Sequence, residues 1–153
     1  MTVTLKTTGF REIEKALAQL PRGTSKAVAR RAMKKELRPV LDMAEAFWPG
    51  AEAAFRITSA VKSSQKGDSY APRGASVTNM FVGSFEPQAH LVEFGTGPRF
   101  QKSGRYVGAV SPTPMLQPAW DANKHQLLEG LGKRLWEEIE KTMARRAKKA
   151  AKG

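Results

Sequence analysis

The chain has no cysteine among its 153 residues and only two histidines, and no run approaches the ~20 apolar residues that a membrane-spanning helix requires. Without cysteine there is no disulfide framework, no thiolate zinc site and no cysteine nucleophile. The histidines, His90 and His125, fall in no His-Glu-x-x-His pattern. His90 and Glu93, three apart, are the lone hint of a ligand pair, and two residues do not close a metal site.

Phosphate-binding and nucleophile signatures are missing as well. No Gly-x-x-x-x-Gly-Lys-Ser/Thr run offers backbone amides to a phosphate, and Phe100 stands where a third glycine would follow Gly95 and Gly97. Gly-x-Ser-x-Gly does not occur, and the carboxylates are too scattered to form an acid/base pair. The expectation is a protein that is not an enzyme, needs no cofactor and binds no metal. The N-terminus lacks a basic segment leading into an apolar stretch, so a soluble protein made and used without secretion is expected.

What is present is charge of one sign. Lys and Arg number 26 against 14 Asp and Glu, a formal charge of +12, which points to an anionic partner, nucleic acid before membrane surface or acidic protein. The excess is spread along the chain, with concentrations at Arg30, Arg31, Lys34, Lys35 and Arg38 and again at Arg145, Arg146, Lys148, Lys149 and Lys152. Such runs serve either as a solvated helix face and a soluble tail or as phosphate contacts. With 41% hydrophobic residues, a chain of this length buries roughly 70% of its unfolded surface, enough for one domain and not for two independent ones.

Periodicity supplies the elements. Val3 and Leu5 alternate in a short opening strand; Phe10, Ile13, Leu17 and Leu20 form the stripe of a first helix over about 10–20, which Pro21 stops. Thr24 or Ser25 can cap a long second helix running to about Trp48, kinked at Pro39 and ended by Pro49-Gly50. Residues 51–64 read as a turn followed by a strand, 66–75 as an exposed loop and 76–83 as a strand. Five of the nine prolines and four glycines fall within 84–118, which predicts turns and short pieces.

A last helix from Pro118 to about Arg146 carries Trp120, Leu127, Leu128, Leu131, Leu135, Ile139 and Met143 on one side with Trp136 beside them. Trp48, Trp120 and Trp136 are expected in core or interface packing. Gly130 and Gly132 weaken this helix or admit a close neighbour. The fold class is α+β: a small mixed or antiparallel sheet packed against a long kinked second helix and a long C-terminal helix, as a single domain over 1–144 with a basic flexible tail over 145–153.

Two motifs carry local logic. Gly95 can take the positive φ that ends a turn after Leu91, Val92 and Phe94, and Glu93 beside that apolar cluster needs backbone N–H or Arg partners. Glu93 then either pins the loop or reaches across a subunit interface. Thr113 can cap a turn whose first position is Pro114, with Met115 and Leu116 as an apolar elbow before Pro118.

The run Ala89-His-Leu-Val-Glu-Phe-Gly-Thr-Gly-Pro98, followed by Ser111-Pro-Thr-Pro-Met-Leu-Gln-Pro-Ala-Trp120 and a terminal helix, resembles the neck or tail-completion proteins of long-tailed bacteriophages. The matching positions are Glu93, Phe94, Gly95 and Thr96, then Pro114, Leu116, Pro118 and Ala119; Gly9-Phe10 and Arg56-Ile-Thr-Ser-Ala-Val61 extend the likeness over nearly the whole chain. Met115 replaces a common aromatic, and Pro49-Gly50 with an alanine-rich turn replaces the usual Thr-Gly.

The resemblance implies a structural virion protein at the head-tail junction of a siphophage-like particle, assembled in the host cytoplasm as a hexameric ring. Its implied partners are further copies of itself, head-completion and connector proteins, tail terminator or tail tube proteins, and passing double-stranded DNA met without sequence specificity; no membrane is involved. Loops such as 66–75 and 97–110 would order on contact with neighbours, and Arg145, Arg146, Lys148 and Lys149 would face DNA. The alternatives are a tail terminator or head-side stopper ring and, from another class, a small basic sequence-nonspecific nucleic-acid-binding protein.

Overall fold

The computed structural model describes residues 10–48, 54–60 and 77–152. The expected opening strand, the Pro49-Gly50 stop and the 66–75 loop lie outside them. The fold is α+β: helices α1 (Phe10–Ala18), α2 (Arg22–Glu36), α3 (Arg38–Ala46), α4 (Ala89–Phe94) and α5 (Leu116–Ala150), with strands β1 (Phe55–Thr58), β2 (Phe81–Ser84), β3 (Thr96–Phe100) and β4 (Tyr106–Val110). Among the described residues the strands form two separate antiparallel ladders, β1 with β2 and β3 with β4, rather than one sheet. The described residues fall into two compact units, one built on 10–36, 59–60, 77–80 and 125–152, the other on 37–48, 54–58 and 81–124.

The regular elements described in the first unit are helices. α1 turns Ile13 inward, α2 contributes Val28 and Ala32, and α5 contributes Leu135 and Ile139; with Leu20 these make one apolar cluster, flanked by Phe10, Leu17 and Leu131. Each side chain is offered by a 3.6-residue stripe, as the sequence predicted. The N-cap expectation for α2 is corrected: the helix starts at Arg22, and Ser25 donates its hydroxyl to the Leu17 carbonyl at 2.6 Å, tying α2 to the end of α1. A hydroxyl already inside the first turn finds its acceptor in the preceding helix instead of capping its own.

Ion pairs join α2 to α5 beside this core. Glu138 is buried and takes Arg31 Nε at 2.9 Å on one oxygen and Lys35 Nζ at 2.5 Å on the other, while Arg31 also donates to the Thr142 hydroxyl at 2.9 Å. Two cations of the Arg30–Arg38 cluster are thus joined to α5. The two donors hold the Glu138 carboxyl far below the usual range, at about 2. Gly130 leaves room for the Glu36 side chain, whose Cδ would lie 2.8 Å from an added Cβ and which accepts from Arg134 at 3.3 Å; Gly132 faces the Phe10 ring at 3.5 Å. The neighbours these glycines admit are side chains.

The second unit is α+β. Pro39 has no N–H for the Lys35 carbonyl, and the expected long second helix is divided at Leu37, with Pro39 placed in the first turn of α3. α3 packs against β1 and β2, which pair Phe55 with Ser84 through Thr58 with Phe81. Val40, Leu41, Ala44, Ala54, Phe55, Ala89, Met115 and Ala119 are buried here, and Trp48 meets Phe55 edge-on at 6.0 Å. Asn123 is buried as well, donating to the Ala119 carbonyl at 2.8 Å and lying against Met43 Sδ.

α5 starts two residues before Pro118 and continues through Ala150, so most of the stretch expected as a flexible tail is helix. Its apolar side is narrower than the sequence suggested. Leu127, Leu135 and Ile139 are buried, whereas Trp120, Leu128, Trp136 and Met143 stand 40–49% exposed. A helix of 35 residues cannot hold one straight stripe against a core, because a heptad-like repeat drifts ~20° per seven residues around an ideal helix.

Candidate functional site

The motif residues converge on the junction of α4, the β3–β4 hairpin and the start of α5. Glu93 is 7% exposed, and its carboxylate accepts three backbone N–H groups: Met115 at 2.7 Å and Leu116 at 3.0 Å on one oxygen, Gln117 at 3.0 Å on the other. These are the first three of the four donors that a helix leaves without partners, and the fourth position is Pro118, which has no N–H. The Ala119 N–H then begins the helical ladder on the Met115 carbonyl. The negative charge also sits at the positive end of α5. Glu93 therefore does what the sequence required of it, finding backbone donors for both of its oxygens.

Thr113 does not cap with its side chain in this arrangement; its N–H donates to the Val92 carbonyl at 2.7 Å. Glu93, far away in sequence, is the cap. Met115, between Pro114 and Leu116, is 1% exposed and is the apolar anchor of this turn, and Ala119 is fully buried, so this motif residue acts inside the unit and not at its surface.

Gly95 takes φ 70° and ψ −179°, a conformation that only glycine occupies readily. A Cβ there would meet the Val110 carbonyl oxygen at 2.7 Å and the Pro112 nitrogen at 2.8 Å. The residue thus lets the outgoing and returning chain pass at backbone contact distance. Thr96 then accepts the Val110 N–H on its hydroxyl at 3.0 Å. Glu93, Gly95 and Thr96 together pin the root of the hairpin.

The hairpin itself corrects two expectations. Residues 97–110 are not an irregular loop: β3 and β4 pair, with Arg99 opposite Gly108 and Phe100 opposite Tyr106, around a turn in which Gly104 donates to the Gln101 carbonyl at 2.8 Å and takes φ 81°. Phe94 is not part of a buried cluster; it is 78% exposed. Toward the tip, Phe100 is 64%, Tyr106 57% and Val107 52% exposed, and the two rings lie 5.5 Å apart. Tyr106 and Val107 are consecutive on a strand and so point to opposite faces, which leaves both faces of the tip in water. Arg99, Lys102 and Arg105 are exposed there too.

The sequence pattern does not announce the aromatic character of this arm. Its signal is the Ser103-Gly104 turn between Arg99-Phe100 and Tyr106-Val107, masked by the surrounding proline and glycine. Arg145, Arg146, Lys148 and Lys149 are all exposed on the last turns of α5, and among the described residues no ion pair engages them. Cations at a helix C-terminus also meet the negative end of the helix dipole. Among the described residues no helix is long and apolar enough to cross a membrane. No protein-family model, no curated protein and no solved structure matches the chain.

Proposed function

We propose that the chain is a non-enzymatic structural protein of the head-tail junction of a long-tailed phage or phage-like particle, a neck or tail-completion protein that assembles with itself into a ring of six. In this reading it joins the tail to the connector proteins of the head and leaves a passage for double-stranded DNA. The observation that carries it is the displayed hairpin arm. Its root is pinned by Glu93, Gly95 and Thr96, the motif residues of the resemblance, while Phe100, Tyr106 and Val107 at its tip remain in water.

A soluble protein exposes apolar side chains singly without consequence, but an exposed aromatic cluster on a fixed scaffold marks a surface made for a partner. The work of such a protein is binding. The charge supports the same reading: exposed cations on the last turns of α5 offer counterion-releasing contact to phosphate, and without a base-reading motif the contact is weak and independent of sequence, so DNA can still move. A tail terminator or a stopper ring would use the same kind of arm at a neighbouring level of the particle.

Removing the gene from the genome that carries it and imaging the particles tests the assignment. Filled heads beside detached tails are expected; intact particles would refute it. Replacing Arg145, Arg146, Lys148 and Lys149 together by Gln tests the DNA contact: lower DNA retention is expected in particles that still assemble, and unchanged retention and infectivity would remove α5 from the DNA path. The same basic turns favour the second reading, a nucleic-acid-binding protein acting alone. A salt titration separates the two, since sub-micromolar binding of duplex DNA by the isolated chain at physiological salt supports the second and negligible binding supports the first.

A further inference from the structure

A closed ring requires a head-to-tail contact, in which two different surfaces of one copy meet the complementary surfaces of its neighbours. Resting on the ring reading, we infer that the two surfaces are the β3–β4 hairpin tip and the outer face of α5 around Trp136, so that the arm of one copy seats on α5 of the next. The occupant of the arm's apolar surface is thus a second copy of this chain.

Both surfaces are apolar and exposed. The tip carries Phe100, Tyr106 and Val107; α5 carries Trp136, 42% exposed, with Met143 two turns further along the same face and Leu128 two turns before it. Each aromatic ring offers roughly 150–250 Å² when fully covered, so Phe100, Tyr106 and Trp136 can supply the anchors of a standard contact of about 800 Å² per partner. Trp and Tyr are also the residue types that dominate interface energetics.

Their charges are opposite. The arm has Arg99, Lys102 and Arg105 and no acid from Phe94 to Trp120. Helical spacing places Glu129 and Glu140 beside Trp136, at i−7 and i+4 on its own face, with Lys133 at the edge; both acids are exposed, and among the described residues neither is in an ion pair.

The same charges exclude the symmetric solution. Two arms meeting each other would bring three cations against three cations, a like-charge contact that suppresses pairing. Duplex DNA would satisfy the cations, but it would cover Val107 and the rings only where base steps are unstacked to admit them. A neighbouring α5 satisfies both.

The absence of cysteine makes the test direct, since every thiol is an introduced one. Val107→Cys and Met143→Cys lie at exposed positions, which circular dichroism would verify as folded, and a short bis-maleimide reports their proximity. The chain carrying both substitutions is expected to give a ladder of covalent oligomers ending at a closed species; either single variant gives only background, and a mixture of the two gives dimers. Dimers from V107C alone would mean that arms pair with arms and would overturn the inference.

A missing ladder alongside wild-type oligomers in native mass spectrometry would overturn this contact and leave the ring standing. A missing ladder with wild-type monomer at every concentration would overturn it too, and particle imaging of the gene deletion then decides the ring reading separately. Shielding of the V107C thiol from maleimide by duplex DNA, with no ladder, would assign the arm to nucleic acid instead.

Discussion

Two buried carboxylates among the described residues are held in contrasting ways, one in each unit. Glu138, on α5 of the helical unit, is bound by two side chains, Arg31 and Lys35, whose own exposures are 41% and 48%. Glu93, at the end of α4 in the other unit, is bound by three backbone N–H groups and, among the described residues, by no cation. The first is a clamp laid over an apolar core that already joins the helices. The second is a cap without which the start of α5 and the root of the arm lose their fixed geometry. Burial is similar, so the dependence of each unit on its carboxylate is decided by what else holds the unit together.

The sharpest way to break the comparison is at Glu93. Glu93→Ala leaves three backbone donors without an acceptor near the buried Met115, and a cost of about 3–4 kcal/mol is expected from the lost charge-assisted bonds and cap. Denaturant unfolding would measure it, and a cost below about 1 kcal/mol would show that water replaces the carboxylate. Gly95→Ala follows at about 3 kcal/mol, from a conformation that only glycine tolerates and a Cβ driven against the Val110 carbonyl. Its damage should be local, with amide exchange accelerating in β3 and β4 more than in α1 and α2.

Glu138 is expected to matter less and to reveal itself through pH. Its carboxyl is lowered from 4.5 to about 2 in the folded chain, so between those values the unfolded chain binds more protons than the folded one. The contribution is present above about pH 4.5 and lost as pH falls toward 2. Its size is on the order of 2 kcal/mol once solvent screening at the half-exposed partners is discounted. Glu138→Gln should remove that part of the acid dependence while leaving the arm unaffected; an unchanged acid profile would show that the ion pair is not formed in solution.

The smallest effect has the opposite sign. Gly132 lies inside α5 with only the Phe10 ring and Ile13 at ordinary contact distance, so Gly132→Ala should stabilise by about 0.5–1 kcal/mol through helix propensity. Gly130→Ala gains the same propensity but displaces the flexible end of Glu36 from Arg134, and the two should nearly cancel. A loss at position 132 comparable to that at position 95 would overturn this reading of the helical unit.

The elements whose reason is local are legible in the sequence. The stripe of α1, the break at Pro39, the short strand at 55–58, the positive φ of Gly95 and the need of Glu93 for partners all follow from neighbours within a few residues. The N-cap of α2 is not legible in this way, because Ser25 finds its acceptor on the previous helix. Nor is the exposure of Trp120, Trp136 and Phe94, because a side chain's apolar character does not say which way a long helix or a turn presents it. The β3–β4 pairing is hidden by Pro98 and the glycines, which the tight root and the tip turn require.

What the sequence by itself determined was the material: no thiol chemistry, an excess of positive charge, helices at the 3.6-residue stripes, and an Ala89–Pro98 segment whose Glu and Gly needed special surroundings. Tertiary structure alone decided the pairings. That Glu93 would meet the N–H groups of 115–117 and that Glu138 would gather Arg31 and Lys35 from about a hundred positions away depend on contacts between residues distant in the chain. Propensity and periodicity act over a turn or two, whereas an ion pair or a helix cap is chosen by whichever group the packed chain brings within about 3 Å.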